Sequence, residues 1–349
     1  MIAENKLLFI CIRKNFQHEH QKAILELCNT FEINWERVYS TAWQHQVIPL
    51  IYHNLSKCKP LMITPEVLAK FKADTQQFIL SKLKQEQEIV KILSYFNNKS
   101  IDVMLIKGAA LNFTVYQDFF GYLMGDTDLI LGNKREAVSE QEDREDIVFF
   151  QQLSTAIEWE RFQHHDVNRN NTLPIDFQKI WSKAQATTFK GQKVMLMAPE
   201  DTLLALCINS CRKRFFRLKS LSDIAATIDY FKELDWALFA KQVKQYRCQH
   251  IVYTALLVTA LTLKIDLPPG VLKQFNIGWL RATVISLVIK YLYKRVSLHS
   301  LSPSAGKVIL RKKINPALIL IVLACNWFQF FKATSRSLPT GRGRPMCLP

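Results

Sequence analysis

The chain has 349 residues, 49% of them hydrophobic and 22% charged, with only 10 glycines and 12 prolines. That is enough for two or three domains with a sizeable core, and it excludes fibrous and low-complexity classes. A formal charge of +16 suits a polyanionic partner such as a nucleotide, RNA or an anionic membrane surface.

Residues 1–98 read as helices. "QKAILELCNTF" and "INWERVYSTAWQHQVIPLIYHNL" place apolar residues at three- and four-residue steps. The N-terminus, "MIAENKLLFICIRKN", lacks a charged start followed by a long apolar run, so it reads poorly as a signal peptide. Thr64-Pro65-Glu66 offers an N-cap with proline at the first helical position. The periodic run that follows, to Lys99, is one long helix or two.

The character changes at 101. "IDVMLI" is a short β-rich run, followed by "KG" and "AALNFTVYQDF", which predicts strand, tight turn, helix. "LMGDTDLIL", Leu123–Leu131, predicts a second strand with Asp126 and Asp128 at its mouth. Alternate residues of a strand share a face, so the two carboxylates point the same way, about 7 Å apart. A charged link from Gly132 to Ile147 follows, without a clear amphipathic phase. "STAIEWERFQHHD" predicts a third strand. "LPIDFQKIW" predicts another, with Asp176 alone between Ile175 and Phe177, and "GQKVMLM" one more. From "APEDTLLALCINSC" onward helices return, through "LSDIAATIDYFKEL", "HIVYTALLVTALTLKI" and "WLRATVISLVIKYLYKRV".

No Asp or Glu occurs after Asp266, while 13 Lys and Arg do. Asn315–Phe331 is a run of 17 uncharged residues. A membrane-spanning helix needs about 20, so the run reads as a buried core helix and a membrane partner is disfavoured. The eight cysteines show no CxxC spacing and no zinc or disulfide framework, which fits a reduced, cytoplasmic setting. The chain divides into an N-terminal helical region (1–98), a mixed core (99–197), a C-terminal helical region (198–334) and a basic, disordered tail (335–349). The fold class is α+β.

Three carboxylates, Asp126, Asp128 and Asp176, can meet on adjacent strands, which lie about 4.8 Å apart. Packed together they repel unless divalent cations neutralise them. Mg²⁺ accepts a few carboxylates plus substrate phosphates. Two such ions stabilise the attacking and leaving oxygens of a phosphoryl-type displacement. Gly108, between strand and helix, lets a phosphate approach the backbone, and Lys107 adds a point charge. In "CRKRFFRLK", Lys213 and Arg217 share a helical face and are candidates for phosphate contact.

This order of motifs resembles the nucleotidyltransferase fold of the DNA polymerase β superfamily. More narrowly, it is similar to an uncharacterised nucleotidyltransferase family whose core reads roughly LKG-A-L, Y-x-D, R-x-M-x-D-I-D-L-L-V and V-D-L-H-W. The matching stretches here are "LIKGAAL", "VYQD", "LMGDTDLIL" and "PIDFQKIW", and the likeness extends over about residues 30 to 270. The resemblance implies a small mixed sheet flanked by helical regions. It implies transfer of a nucleotidyl group from an NTP to an acceptor hydroxyl, with two Mg²⁺ ions, or Mn²⁺ in their place. Asp126 and Asp128 are then the metal-binding pair, and Asp176 is the third ligand, activating the acceptor. Lys107 and Gly108 form the nucleotide-binding turn. The acceptor is left open: a small molecule, a peptide or RNA. Three positions depart from the family pattern. Tyr122 stands where it has Arg, Gln178 where it has His, and Ala109 follows Gly108. The alternative is a catalytically decayed nucleotide- or RNA-binding protein on the same fold.

Overall fold

The computed structural model describes residues 2–58, 63–119, 121, 122, 124–132, 145, 148, 149, 153, 157–161, 173–213, 215, 217–295 and 298. Helices α1 (Ala3–Cys11), α2 (His18–Thr30), α3 (Trp35–Gln44), α4 (Ile48–Leu55) and α5 (Pro65–Asn98) come first. The middle of the chain holds β1 (Val103–Leu105), α6 (Lys107–Phe113), β2 (Thr127–Leu131), β3 (Ile157–Arg161), α7 (Phe177–Ser182), β4 (Gln185–Phe189) and β5 (Gln192–Leu196). Then follow α8 (Pro199–Arg212), α9 (Leu218–Tyr230), α10 (Trp236–Gln245), α11 (Gln249–Leu263), α12 (Val271–Gln274) and α13 (Trp279–Arg295). Asn315–Phe331 and the basic tail lie outside the described residues. Among the described residues no helix is long and apolar enough to cross a membrane.

The periodic run after Thr64 is one helix of 34 residues. Thr64 caps it by accepting from the Val67 N–H, with Pro65 in the first turn, where no backbone donor is needed. Its polar face reaches the core: Gln85 Nε2 donates to Gly125 O at 2.5 Å and Lys82 Nζ to Phe119 O at 3.2 Å. The helix thus holds the loop that leads into β2.

The sheet runs β3-β2-β1-β5-β4. β1 pairs antiparallel with β2, Val103 opposite Leu131, and parallel with β5. β2 pairs parallel with β3. Both faces of the central strands are covered. Val103, Leu105, Leu129 and Leu131 join the large helical core, whereas Met104 and Ile130 join a second cluster with Ile180, Met197 and Ala205. α7 and α8 supply that second cover, which is why these strands are apolar on both sides rather than alternating with polar residues.

Two segments differ from their sequence-based expectation. "PIDFQ" is not a strand: Asp176 ends its extended lead-in and N-caps α7, accepting from Lys179 N–H at 3.2 Å. Phe177, Ile180 and Trp181 pack at helical, not alternating, spacing on the second cluster. "QATTF" is a strand the sequence reading passed over. It pairs with β5 through Lys190 (φ +46°) and Gly191 (φ +83°), a two-residue turn with both residues left-handed, as a tight hairpin requires.

Candidate active site

β1 ends at Leu105 and α6 begins two residues later, so the chain turns at Ile106 and Lys107 and Gly108 open the helix. Ile106 N–H donates to Asp128 O at 3.2 Å, extending the β1–β2 ladder to the edge of this turn. The left-handed residue here is Lys107, at φ +49°, not Gly108. A side chain on Gly108 would meet the Tyr122 hydroxyl at 3.7 Å, an ordinary contact.

Asp126 and Asp128 differ in environment. β2 starts at Thr127, so Asp126 precedes the strand and is exposed, while Asp128 is buried at 7% exposure. By strand parity Asp128 lies on the face of Ile130, the one covered by α7. Its Oδ1 is 2.6 Å from Lys107 Nζ, a pair with side chains 9% and 10% exposed.

Lys213 and Arg217 do not share a helix. α8 ends at Arg212, Lys213 is its C-cap, and Arg217 is the N-cap of α9. Phe215 breaks the run at φ +59°, buried to 2% exposure, with its N–H on Ser210 O at 2.8 Å. Burying Phe215 requires the chain to reverse there. The reversal still brings both cations to the site. Burial lowers the Lys213 pKa, with Arg217 and Arg212 adding to the effect and Asp126 opposing it. Burial likewise lowers that of Arg217, opposed by Asp223 and Asp126. Among the described residues Arg217 Nε is buried without a hydrogen-bond partner.

Behind the turn lies a polar network that the sequence reading missed. Tyr122 stacks on Tyr116 (centroids 4.1 Å apart) and donates to Asp223 Oδ2 at 3.4 Å. Lys219 Nζ donates to the Tyr122 hydroxyl at 2.6 Å and to Asp223 at 2.8 Å. Burial, then the Asp223 carboxylate, pushes the Tyr122 phenol far above its ordinary range, so it stays a donor. The signal in the sequence was the Lys219–Asp223 spacing of four on a helix.

Asp176 stands apart in role. Its carboxylate caps α7 and pairs with Lys179 Nζ at 3.4 Å. α7 is itself tied to α8 by Lys183 Nζ and Asp201 Oδ2, 2.5 Å apart. Among the described residues no three acidic, histidine or cysteine side chains are grouped so as to hold a metal ion. The three-carboxylate, two-metal group that the resemblance implies is not formed among the described residues in this arrangement. Asp176 is engaged as a helix cap, and Asp128 already has an ammonium against it.

The turn thus gathers Lys107, Lys213, Arg217 and Lys219 with Asp126, Asp128 and Asp223. Cations drawn from two distant parts of the chain lie within electrostatic reach of the residues beside Gly108, and such a site can take up a phosphorylated ligand. Comparison with known proteins is consistent with that chemistry. No curated protein and no solved structure matches the chain. The family model described as "Uncharacterised nucleotidyltransferase" matches residues 32–264, a span that holds α3 to α11 and every strand of the sheet. The chain belongs to this uncharacterised nucleotidyltransferase family.

Proposed function

We propose that the β1–α6 turn holds the triphosphate of an NTP, and that the protein transfers the nucleotidyl group to an acceptor hydroxyl with loss of pyrophosphate. The observation that carries this reading is that Lys213 lies within electrostatic reach of Lys107 and Asp126, and Arg217 within reach of Lys213 and Asp126, beside the glycine-containing turn that bears the Lys107–Asp128 ion pair. Arg217 is half-buried, and Lys213 and Arg217 lie near each other as like charges, so an anionic ligand relieves their repulsion. Gly108 leaves the backbone open to a phosphate oxygen.

Each residue then has a task at the bound triphosphate. Lys213 and Arg217 fix the outer phosphates. Lys107 neutralises charge next to the reacting phosphorus. Asp126, exposed at the entrance to β2, faces the side from which an acceptor arrives. The Tyr122–Lys219–Asp223 network holds the wall behind Gly108.

A second reading, NTP binding without turnover, is favoured by one observation: Asp128 and Asp176 are both already engaged, by Lys107 and by the α7 N-terminus. Two measurements separate the readings. Calorimetric titration with each NTP tests the site, and Lys213→Met and Arg217→Met should each weaken binding about tenfold or more, the loss of one charge-assisted contact. Pyrophosphate release in the presence of pooled sugars, peptides or tRNA tests turnover. Binding without release supports the second reading. Absence of binding in the parent protein refutes both.

A further inference from the structure

The Lys107–Asp128 pair has a consequence for the chemistry expected of the two carboxylates. Its 2.6 Å separation and its burial make it a closed contact rather than a passing surface pair. Lys107 holds a left-handed backbone, φ +49°, a conformation unfavourable for a residue with a Cβ. Such strain persists only where surrounding contacts impose it. Here the Ile106 N–H bond to Asp128 O fixes the two backbones side by side, directly beneath the ion pair. Lys213, within electrostatic reach of both Lys107 and Asp126, adds a second positive charge to the same cleft.

A divalent cation binds a carboxylate oxygen at about 2.1 Å for Mg²⁺. It cannot do so at Asp128 Oδ1 while an ammonium lies against that atom, because two cations would then sit within contact distance. We infer that Lys107 is the resident counter-ion of Asp128, and that it keeps divalent cations off the Asp126–Asp128 pair in the protein without ligand. Burial strengthens the exclusion, since a displaced ammonium in a largely closed site has little water to receive it. The inference stands on the ion pair alone, so it holds or fails independently of whether an NTP binds.

Mn²⁺ alone is the probe, followed by electron paramagnetic resonance on the full chain. The parent protein should show no saturable site tighter than about 1 mM, the weak end of carboxylate sites. Lys107→Gln removes the charge but keeps a donor for Asp128. It should gain a site at least about tenfold tighter than the parent. Lys107→Arg should not, and adding Asp128→Asn to Lys107→Gln should erase the gain. A Lys107→Gln protein with parent-like circular dichroism and no tighter Mn²⁺ site overturns the inference. If that variant does not fold, the parent and Asp128→Asn decide. Saturable micromolar binding in the parent that Asp128→Asn abolishes overturns it. Weak binding unaffected by that substitution upholds it.

Discussion

Asp128→Asn is the sharpest test of how this site is held together. The substitution preserves shape and removes one charge from a pair whose side chains are 9% and 10% exposed. Breaking a buried pair by neutralising one partner costs about 3–5 kcal/mol, because the other charge stays desolvated. The asparagine oxygen can still accept from Lys107 Nζ, and a retained hydrogen bond to a charged group returns about 1.5 kcal/mol. A loss of about 2–3 kcal/mol remains. For a chain of this size each kcal/mol moves the melting temperature by roughly 2 °C, so Asp128→Asn should melt about 5 °C below the parent. Asp126→Asn, at an exposed position, should lie within about 0.5 kcal/mol of the parent. Urea unfolding of Lys107→Gln, Asp128→Asn and the double variant closes a cycle. The double variant should recover part of the loss, with a coupling of about 1 kcal/mol or more. If Asp128→Asn is no worse than Asp126→Asn, or if the two single losses simply add, the pair is not the buried contact described above.

Three further outcomes are expected. Gly108→Val should cut NTP affinity at least about tenfold by occupying the space a phosphate needs. Gly108→Ala should melt like the parent, since its Cβ makes only a 3.7 Å contact with Tyr122; equal NTP affinity in the valine variant would move the triphosphate elsewhere. Glu86 is pushed up by burial, but Lys190 at 2.8 Å, Asn112 and Lys82 outweigh this and hold it below the ordinary 4.5. Its folded pKa is depressed, so its stabilisation is present above pH 4.5 and disappears as pH falls through the lower folded value. The stability gap between parent and Glu86→Gln should therefore close on acidification below pH 4.5, and a gap that widens instead would reverse the sign argued here. Gly191→Ala has open space for its methyl but a backbone at φ +83°, so urea melts should show a loss of about 1 kcal/mol from strain alone. No loss would mean that the β4–β5 turn is not left-handed.

What the sequence determined by itself was whatever depends on local chemistry. Thr64-Pro65 announces the start of α5, and the β-rich "VML" before "KG" announces β1 and its turn. "TDLIL" announces β2, because branched and apolar side chains in a short run have no other stable use. The family was also legible, since its motifs keep their order along the chain. The tertiary structure decided the rest, for identifiable reasons. Three residues around Asp176 are too few to separate alternation from helical spacing, and the packing of Ile180 and Trp181 on the sheet settled it as a helix cap. The helical phase of "CRKRFFRLK" gave way to the burial of Phe215, a larger gain than continuing a solvated turn, and that break sent Lys213 and Arg217 toward Asp126. "QATTF" found its partner only through the hairpin, because strand pairing is an agreement between two segments and neither carries it alone. The Lys107–Asp128 contact lies deepest in this class. The two residues are separated by a helix and a loop, and only the antiparallel register of β1 on β2, Leu105 opposite Leu129, brings the ammonium to the carboxylate.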